Sequence, residues 1–265
     1  MWIDSHCHVT ADEFAEDRAA VLERAAAAGV EAMVAIGAGY GVEHNARVLA
    51  LAEGDPRIHP TVGVHPHDAE KLDDAGREKL RRWLAHPRVV AVGECGLDYW
   101  YMNSPREAQR EVFAEQVALA RELDLPVSIH VRDRGADAYE DLLAIWKREG
   151  GGALEGVLHC YTHDLPFARR ALDAGFFVSF SGILTFKRDR GLRDVAAALP
   201  LDRLLVETDA PLLAPEGHRG RRNEPAWVTV VGEVLARTLG QPLEAVAAAT
   251  ADNARRLFRL DASAA

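Results

Sequence analysis

The sequence is short of cysteine, of long apolar runs and of positive charge, and each shortage removes a class of protein. Its three cysteines, Cys7, Cys95 and Cys160, are odd in number and form no CxxC pair, which argues against a disulfide framework and for a reducing compartment. No stretch approaches the roughly 18 apolar residues of a membrane span. Met1 leads straight into Trp2-Ile3-Asp4 without the basic segment and apolar run of a secretory signal, so a cytoplasmic protein with no membrane partner is expected. No Pro/Gly/Ser-rich linker or low-complexity tract divides the chain, which predicts one domain over residues 1–265. Neither a GxGxxG nor a P-loop motif follows a strand-like segment, counting against a nucleotide-binding open sheet. Lys and Arg number 31 against 41 Asp and Glu, a net charge of −10. General polyanion binding is thereby opposed, and a nucleic-acid substrate would need a local basic patch or a metal.

What remains is an ordinary globular composition, 48% hydrophobic and 27% charged. Short Val/Ile-rich segments recur at Trp2-Ile3-Asp4, Ala32 to Ile36, Ile58 to Val64, Val89 to Val92, Val127 to Ile129, Gly156 to Leu158, Phe176 to Ser179 and Leu204 to Val206. Each reads as a buried strand. Amphipathic segments such as Glu13 to Ala28, Pro105 to Leu123, Asp137 to Arg148 and Leu165 to Ala174 lie between them, several closed by Gly29, Gly150 or Gly175 as helix stops. Strands alternating with helices predict parallel pairing with right-handed crossovers, and eight such units predict an α/β fold of the (β/α)8 TIM-barrel type.

The chemistry-bearing residues cluster at the strand ends. Strand one finishes in Asp4-Ser5-His6-Cys7-His8, and because side chains alternate along a strand, His6 and His8 project to one side and Cys7 to the other. Strand four finishes in Gly93-Glu94-Cys95-Gly96, strand five in His130, strand six in His159 and strand eight in Glu207-Thr208-Asp209. In a barrel of this type these ends surround the mouth where active sites are built. Four histidines, His6, His8, His130 and His159, with the carboxylates Glu94 and Asp209 suffice for two divalent ions. Glu94 is the natural bridge, since each carboxylate oxygen can take one ion. His and carboxylate ligation without thiolate suits Zn²⁺, Mn²⁺ or another divalent ion, with Mg²⁺ less at home among imidazoles. The cysteines beside these ligands are read, by the same alternation, as small buried hydrophobes.

Two further groups belong to the loops. Gly63-Val64-His65-Pro66-His67 and Gly96-Leu97-Asp98-Tyr99 make His65, and secondarily Asp98, candidates to orient a phosphate or protonate a leaving group. The densest positive cluster, between Pro215 and Pro225, holds Arg219, Arg221 and Arg222 and reads as a phosphate clamp, with pairing to surface carboxylates as the competing fate.

Taken in order, these segments resemble the TatD family of metal-dependent deoxyribonucleases, a branch of the amidohydrolase-like barrel superfamily. The likeness also covers Leu125-Pro126-Val127-Ser128-Ile129-His130, Val157-Leu158-His159-Cys160, Glu207-Thr208-Asp209-Ala210-Pro211, Arg222-Asn223-Glu224-Pro225, and Thr250 and Asn253 before Leu257-Phe258. It implies that His6, His8 and Asp209 hold one metal and His130 and His159 the other, that Glu94 bridges them, and that His65 contacts the scissile phosphate. It further implies a 3′-to-5′ exonuclease on single-stranded DNA ends, and a monomer is expected. In the expected reaction water is activated at the metal pair, Asp209 receives its proton, and His65 with Arg219 or Arg222 holds the phosphate. Departures from the family pattern stand at Leu212, Val131 and His163 and bear on substrate choice. Two rivals follow: an amide or ester hydrolase of the same superfamily, including a D-aminoacyl-tRNA deacylase, and a noncatalytic metal-binding module.

Overall fold

β-branched and aromatic side chains pack well on a pleated, buried surface, and the strands of the computed structural model fall on such segments. The structure describes residues 1–189 and 191–260; residues 190 and 261–265 of the expected domain lie outside them. The strands are β1 (Trp2–Cys7), β2 (Val30–Ile36), β3 (Ile58–Val62), β4 (Ala91–Asp98), β5 (Val127–Arg132), β6 (Gly156–Leu158), β7 (Phe176–Phe180) and β8 (Leu204–Val206). The helices are α1 (Arg18–Ala27), α2 (Asn45–Gly54), α3 (Asp74–Leu84), α4 (Arg106–Leu123), α5 (Asp137–Glu149), α6 (Leu165–Asp173), α7 (Leu192–Ala197), α8 (Val228–Leu239) and α9 (Leu243–Phe258). Eight strands in one sheet run in sequence order, with parallel pairing at β1/β2, β3/β4, β4/β5, β5/β6 and β7/β8. This is the (β/α)8 barrel fold. Most strand residues are buried on both faces, as helix-covered parallel strands require.

Two compact units make up the chain. The first contains β1, most of β2 and β7, and β8, with α1, α7, α8 and α9, and its core includes Met33, Phe177, Phe180, Leu205 and Phe258. The second contains β3 to β6 and α2 to α5, built on Ile58, Leu97, Phe113, Ile129 and Leu142. In that unit Trp146 lies 4.3 Å from Phe176 and donates its indole N–H to the Ala174 carbonyl at 3.0 Å.

Several boundaries differ from expectation by a few residues, and two of them bear on the site. The first helix was expected from Glu13, but α1 begins at Arg18. Asp12–Phe14 instead form a 3-10 turn that buries Phe14 completely, and Asp17, with φ −133°, breaks the helical run. β4 continues past Gly96 to Asp98, because Gly96, Leu97 and Asp98 pair with His130, Val131 and Arg132 of β5. Asp98 is therefore a strand-end residue and not a loop residue. No helix among the described residues is long and apolar enough to cross a membrane.

Candidate metal centre

In the first unit, β1 carries His6 and ends one residue before His8. The strand is tied to the segment after β8: Asp209 N–H donates to the His6 carbonyl at 2.9 Å and His8 N–H to the Ala210 carbonyl at 2.8 Å. The alternation expected for the His-Cys-His run is realised. His6 Nε2 and His8 Nε2 are 3.3 Å apart, and lie 3.7 and 3.5 Å from Asp209 Oδ1. Burial would push the Asp209 carboxyl up, but the hydrogen bond with His8 and the imidazoles of His6 and His159 hold it below the ordinary carboxylate range. Three lone-pair atoms converge there. Two imidazole nitrogens and a carboxylate oxygen this close together are all satisfied by one divalent cation, so the donor set fits a metal.

His159 stacks on His6, with centroids 3.8 Å apart and planes 8° from parallel. Its Nδ1 is 3.3 Å from Glu207 Oε1, which also accepts the Cys160 N–H at 2.7 Å. A carboxylate on Nδ1 fixes the tautomer and frees Nε2 as a ligand atom. Glu207 is fully buried, and its Oε2 has no hydrogen-bond partner among the described residues. Asp4 is also fully buried and accepts bonds from Thr208 Oγ1 at 2.5 Å, Thr208 N–H at 2.9 Å and His6 N–H at 3.3 Å. Burial pushes its carboxyl up to about 8 against the pull of those bonds.

In the second unit, Glu94 Oε1 lies 3.1 Å from His130 Nδ1 and 3.5 Å from His65 Nε2. The other His130 nitrogen, Nε2, is 3.0 Å from Asp98 Oδ2. Both ring nitrogens therefore face carboxylate oxygens; with the single proton of the neutral ring on Nε2, Nδ1 is left to share a cation with Glu94. Two acceptors facing each other at that distance call for a cation. His130 and Glu94 thus fit a divalent ion as well.

Asp98 Oδ2 also meets His67 Nε2 at 3.0 Å, while its Oδ1 accepts the Trp100 and Tyr101 N–H groups at 3.0 and 2.8 Å. Burial opposes ionisation of Asp98, yet the bonds from His130 and His67 hold its carboxyl far below the usual range. His65 Nδ1 accepts the His67 N–H at 3.1 Å, which leaves its proton on Nε2 as a donor. Burial draws His65 down to about 4, outweighing the pull of Glu94.

Side-chain amides hold these strand ends where a neighbouring strand does not. Asn45 Oδ1 accepts the Gly63 N–H and its Nδ2 donates to the Gly63 carbonyl, at 3.0 and 2.9 Å. Gln116 makes the same two-point contact with Val64 at 2.7 and 3.0 Å, and Gln109 with Asp98 at 2.7 and 3.1 Å. Each supplies the donor and acceptor that buried backbone requires. Gly96 has φ 141°, and a Cβ there would lie 1.9 Å from the His130 carbonyl oxygen. Only glycine lets β4 approach the His130 backbone so closely.

The remaining candidates have other partners. Arg222 is bound by Asp17 at 2.7 and 2.9 Å and sits over the Phe14 ring; Arg219 lies 3.8 Å over Phe186. Cys7 and Cys95 are fully buried, their thiols pushed up by desolvation, in keeping with inert packing. Cys160 departs from that expectation: beyond the end of β6, with φ 46°, it is only half-buried and its Sγ contacts Ser181 Oγ at 3.2 Å. Leu212, one of the departures from the family pattern, is exposed. Glu207, Gln109, Gln116 and Asn45 were absent from the sequence-derived candidates. Only Glu207 carried a signal, standing two residues before Asp209.

Residues 3–259 match the sequence profile of the family described as TatD related DNase. The chain belongs to the TatD family. Among the relatives of this TatD-family hydrolase is the uncharacterized metal-dependent hydrolase YabD of Bacillus subtilis, 40% identical over 261 residues, covering 98% of this chain and 100% of that one. The 3′-5′ ssDNA/RNA exonuclease TatD of Erwinia tasmaniensis is 39% identical over 267 residues, covering 97% and 99%. The crystal structure of YjjV, a TatD homologue from Escherichia coli K12, superposes with a TM-score of 0.90 at 36% identity, covering 97% of this chain and 98% of that one. The TatD-family chain is accordingly a metal-dependent hydrolase.

Proposed function

We propose that this hydrolase is a deoxyribonuclease that removes nucleotides from single-stranded 3′ ends. Supporting this reading is a relative named as a 3′-5′ ssDNA/RNA exonuclease, alignable over nearly the whole chain. The observation that carries the chemistry is His130, whose two nitrogens each face a carboxylate oxygen, Asp98 at Nε2 and Glu94 at Nδ1, so that a cation between Nδ1 and Glu94 would leave the ring proton to Asp98. In this reading His6, His8 and Asp209 would hold one divalent ion, and the family resemblance implies that His130, His159 and Glu94 would serve as the remaining ligands. Such ions supply Lewis acidity and lower the pKa of water. Glu207 and Asp98 orient His159 and His130. Asp209 takes the proton of the attacking water, and the His65 Nε2–H donates to a phosphoryl oxygen, which a neutral ring held near pKa 4 does across the physiological range. Arg219 and Arg222 remain candidates for outlying phosphates, Arg222 only on leaving Asp17. Residues 1–265 work as one cytoplasmic, monomeric barrel domain.

The test is metal analysis of the purified protein coupled to turnover of labelled single-stranded DNA, aminoacyl-tRNA and a panel of small esters, each with and without chelator. Chelator-sensitive release of nucleotides from the 3′ end is expected. Robust ester or aminoacyl-tRNA turnover without DNA cleavage would overturn the nuclease reading and leave the hydrolase intact.

A further inference from the structure

Beside Glu94 and His130, in the same unit, four side chains form a cluster that the hydrolytic reaction does not use. Trp100 and Tyr101 lie two and three residues past the end of β4, and Arg132 and Arg134 lie at and just beyond the end of β5. The Arg132 guanidinium is 5.2 Å from the Trp100 ring and 4.9 Å from the Tyr101 ring, and that of Arg134 is 4.7 Å from Trp100. Tyr101 is 53% exposed, and its ring stands edge-on to His67 at 5.7 Å and 89°.

Many arginines of this chain are committed to carboxylates: Arg24 to Glu224, Arg57 to Asp55, Arg77 to Glu115 and Arg222 to Asp17. Among the described residues, Arg132 and Arg134 have no carboxylate partner. The acid between them, Asp133, spends its oxygens on the backbone N–H groups of Arg134, Gly135 and Ala138 at 2.6, 3.2 and 3.0 Å. Two uncompensated cations therefore sit on aromatic faces in a chain whose net charge is −10, the local basic patch that an acidic protein needs to receive a polyanion.

The cluster is also held rigidly to the site. Asp98 Oδ1 receives the Trp100 and Tyr101 N–H groups, while Oδ2 of the same carboxylate receives His67 and His130. Farther along the loop, Ser104 Oγ donates to the His67 carbonyl at 3.0 Å and accepts the Glu70 N–H at 3.1 Å. The aromatic pair is thus placed relative to His130 before any ligand arrives.

We propose that Trp100, Tyr101, Arg132 and Arg134 form a subsite for an unpaired nucleotide beside the scissile phosphate, the rings stacking on its base and the guanidiniums binding its phosphates. This rests on the nuclease reading above and sharpens its substrate class to strands whose terminal bases are free to stack. Base–aromatic stacking is indifferent to base identity, and a base already stacked in a duplex does not offer its faces to the protein.

The test compares wild type with Tyr101→Ala, Trp100→Ala, Tyr101→Phe and an Arg132→Ala/Arg134→Ala double variant. Three substrates are used: a single-stranded oligonucleotide, the same strand abasic in its last two residues, and methyl p-nitrophenyl phosphate. Each alanine replacement of a ring raises KM for the oligonucleotide about tenfold with kcat little changed, and Tyr101→Phe restores it. On the abasic strand and the small diester those variants match wild type. The double variant raises KM for both strands and flattens its salt dependence by ~0.7 in log–log slope for each phosphate no longer neutralised. A KM for the intact strand unchanged in Tyr101→Ala and Trp100→Ala, or raised equally on the abasic strand, overturns the subsite. Failure of the nuclease reading is separately visible as wild-type turnover of the small diester with no oligonucleotide cleavage.

Discussion

Replacing Asp98 by Asn tests whether one buried carboxylate sets the ligand atom of His130. Asn keeps the volume and can still accept the Trp100 and Tyr101 N–H groups through Oδ1, so the loop stays in place. Its NH₂ then faces His130 Nε2 and His67 Nε2, each 3.0 Å from the original Oδ2. A donor there forces His130 into the tautomer with its proton on Nδ1, the nitrogen 3.1 Å from Glu94. That is the lone pair a metal needs. Partners of this kind are worth about 10–100-fold in metal affinity, and the charge-assisted hydrogen bonds removed about 1.5–3 kcal/mol of stability each. Activity titrated against buffered free metal should therefore show its midpoint displaced upward by one to two decades, with most of kcat recovered at saturating metal. Circular dichroism and urea denaturation would establish that the variant folds. A folded Asp98→Asn protein with the metal midpoint of wild type would refute the assignment of Nδ1 as the ligand atom.

Glu94→Ala should abolish chelator-sensitive hydrolysis on every substrate, and retention of full activity would remove Glu94 from the reaction. His8→Ala is expected to lower the metal content of the purified chain, measured by elemental analysis, while leaving the His130 group able to bind. Asp17→Asn leaves Arg222 without its ion pair, held by the Glu13 carbonyl, and should lower KM for an oligonucleotide severalfold; an unchanged KM would take Arg222 off the substrate path. In chelator, the folded protein keeps His65 neutral down to about 4, whereas the unfolded imidazole takes a proton near 6.5. Between those values the unfolded chain binds the extra proton, so stability present at neutral pH is lost as pH falls through the window, by up to about 3 kcal/mol. His65→Gln should flatten that part of the stability-against-pH curve, and parallel curves for the two proteins would count against it.

The periodicities of the sequence went far because they report geometry directly. Alternation placed His6 and His8 on one side of β1, and they meet at 3.3 Å. The eight apolar segments are the eight strands. Glu94 and His130 were legible as strand-end residues, and β4 and β5 bring them together. Less was legible where a contact joins residues remote in sequence without periodicity. Nothing in the run around Arg222 announces that Asp17 will bind it. Gln109, Gln116 and Asn45 look like ordinary helix residues, and their role depends on where α4 and α2 pass the ends of β3 and β4. The sharing of Asp98 between two histidines likewise needs β4 to run two residues past Gly96, a boundary set by pairing with β5 and not by local composition.

The amide clamps carry a dynamic consequence. Gly63, Val64 and Asp98 owe two backbone hydrogen bonds each to side chains of α2 and α4. Their protection against hydrogen exchange should therefore follow the opening of those helices and not that of the strands they terminate. An α4 loosened by a glycine on its solvent face would let His65 and Asp98 drift together while the sheet amides stay protected. The placement of the second unit's strand-end side chains is thus governed from the outer layer of the fold.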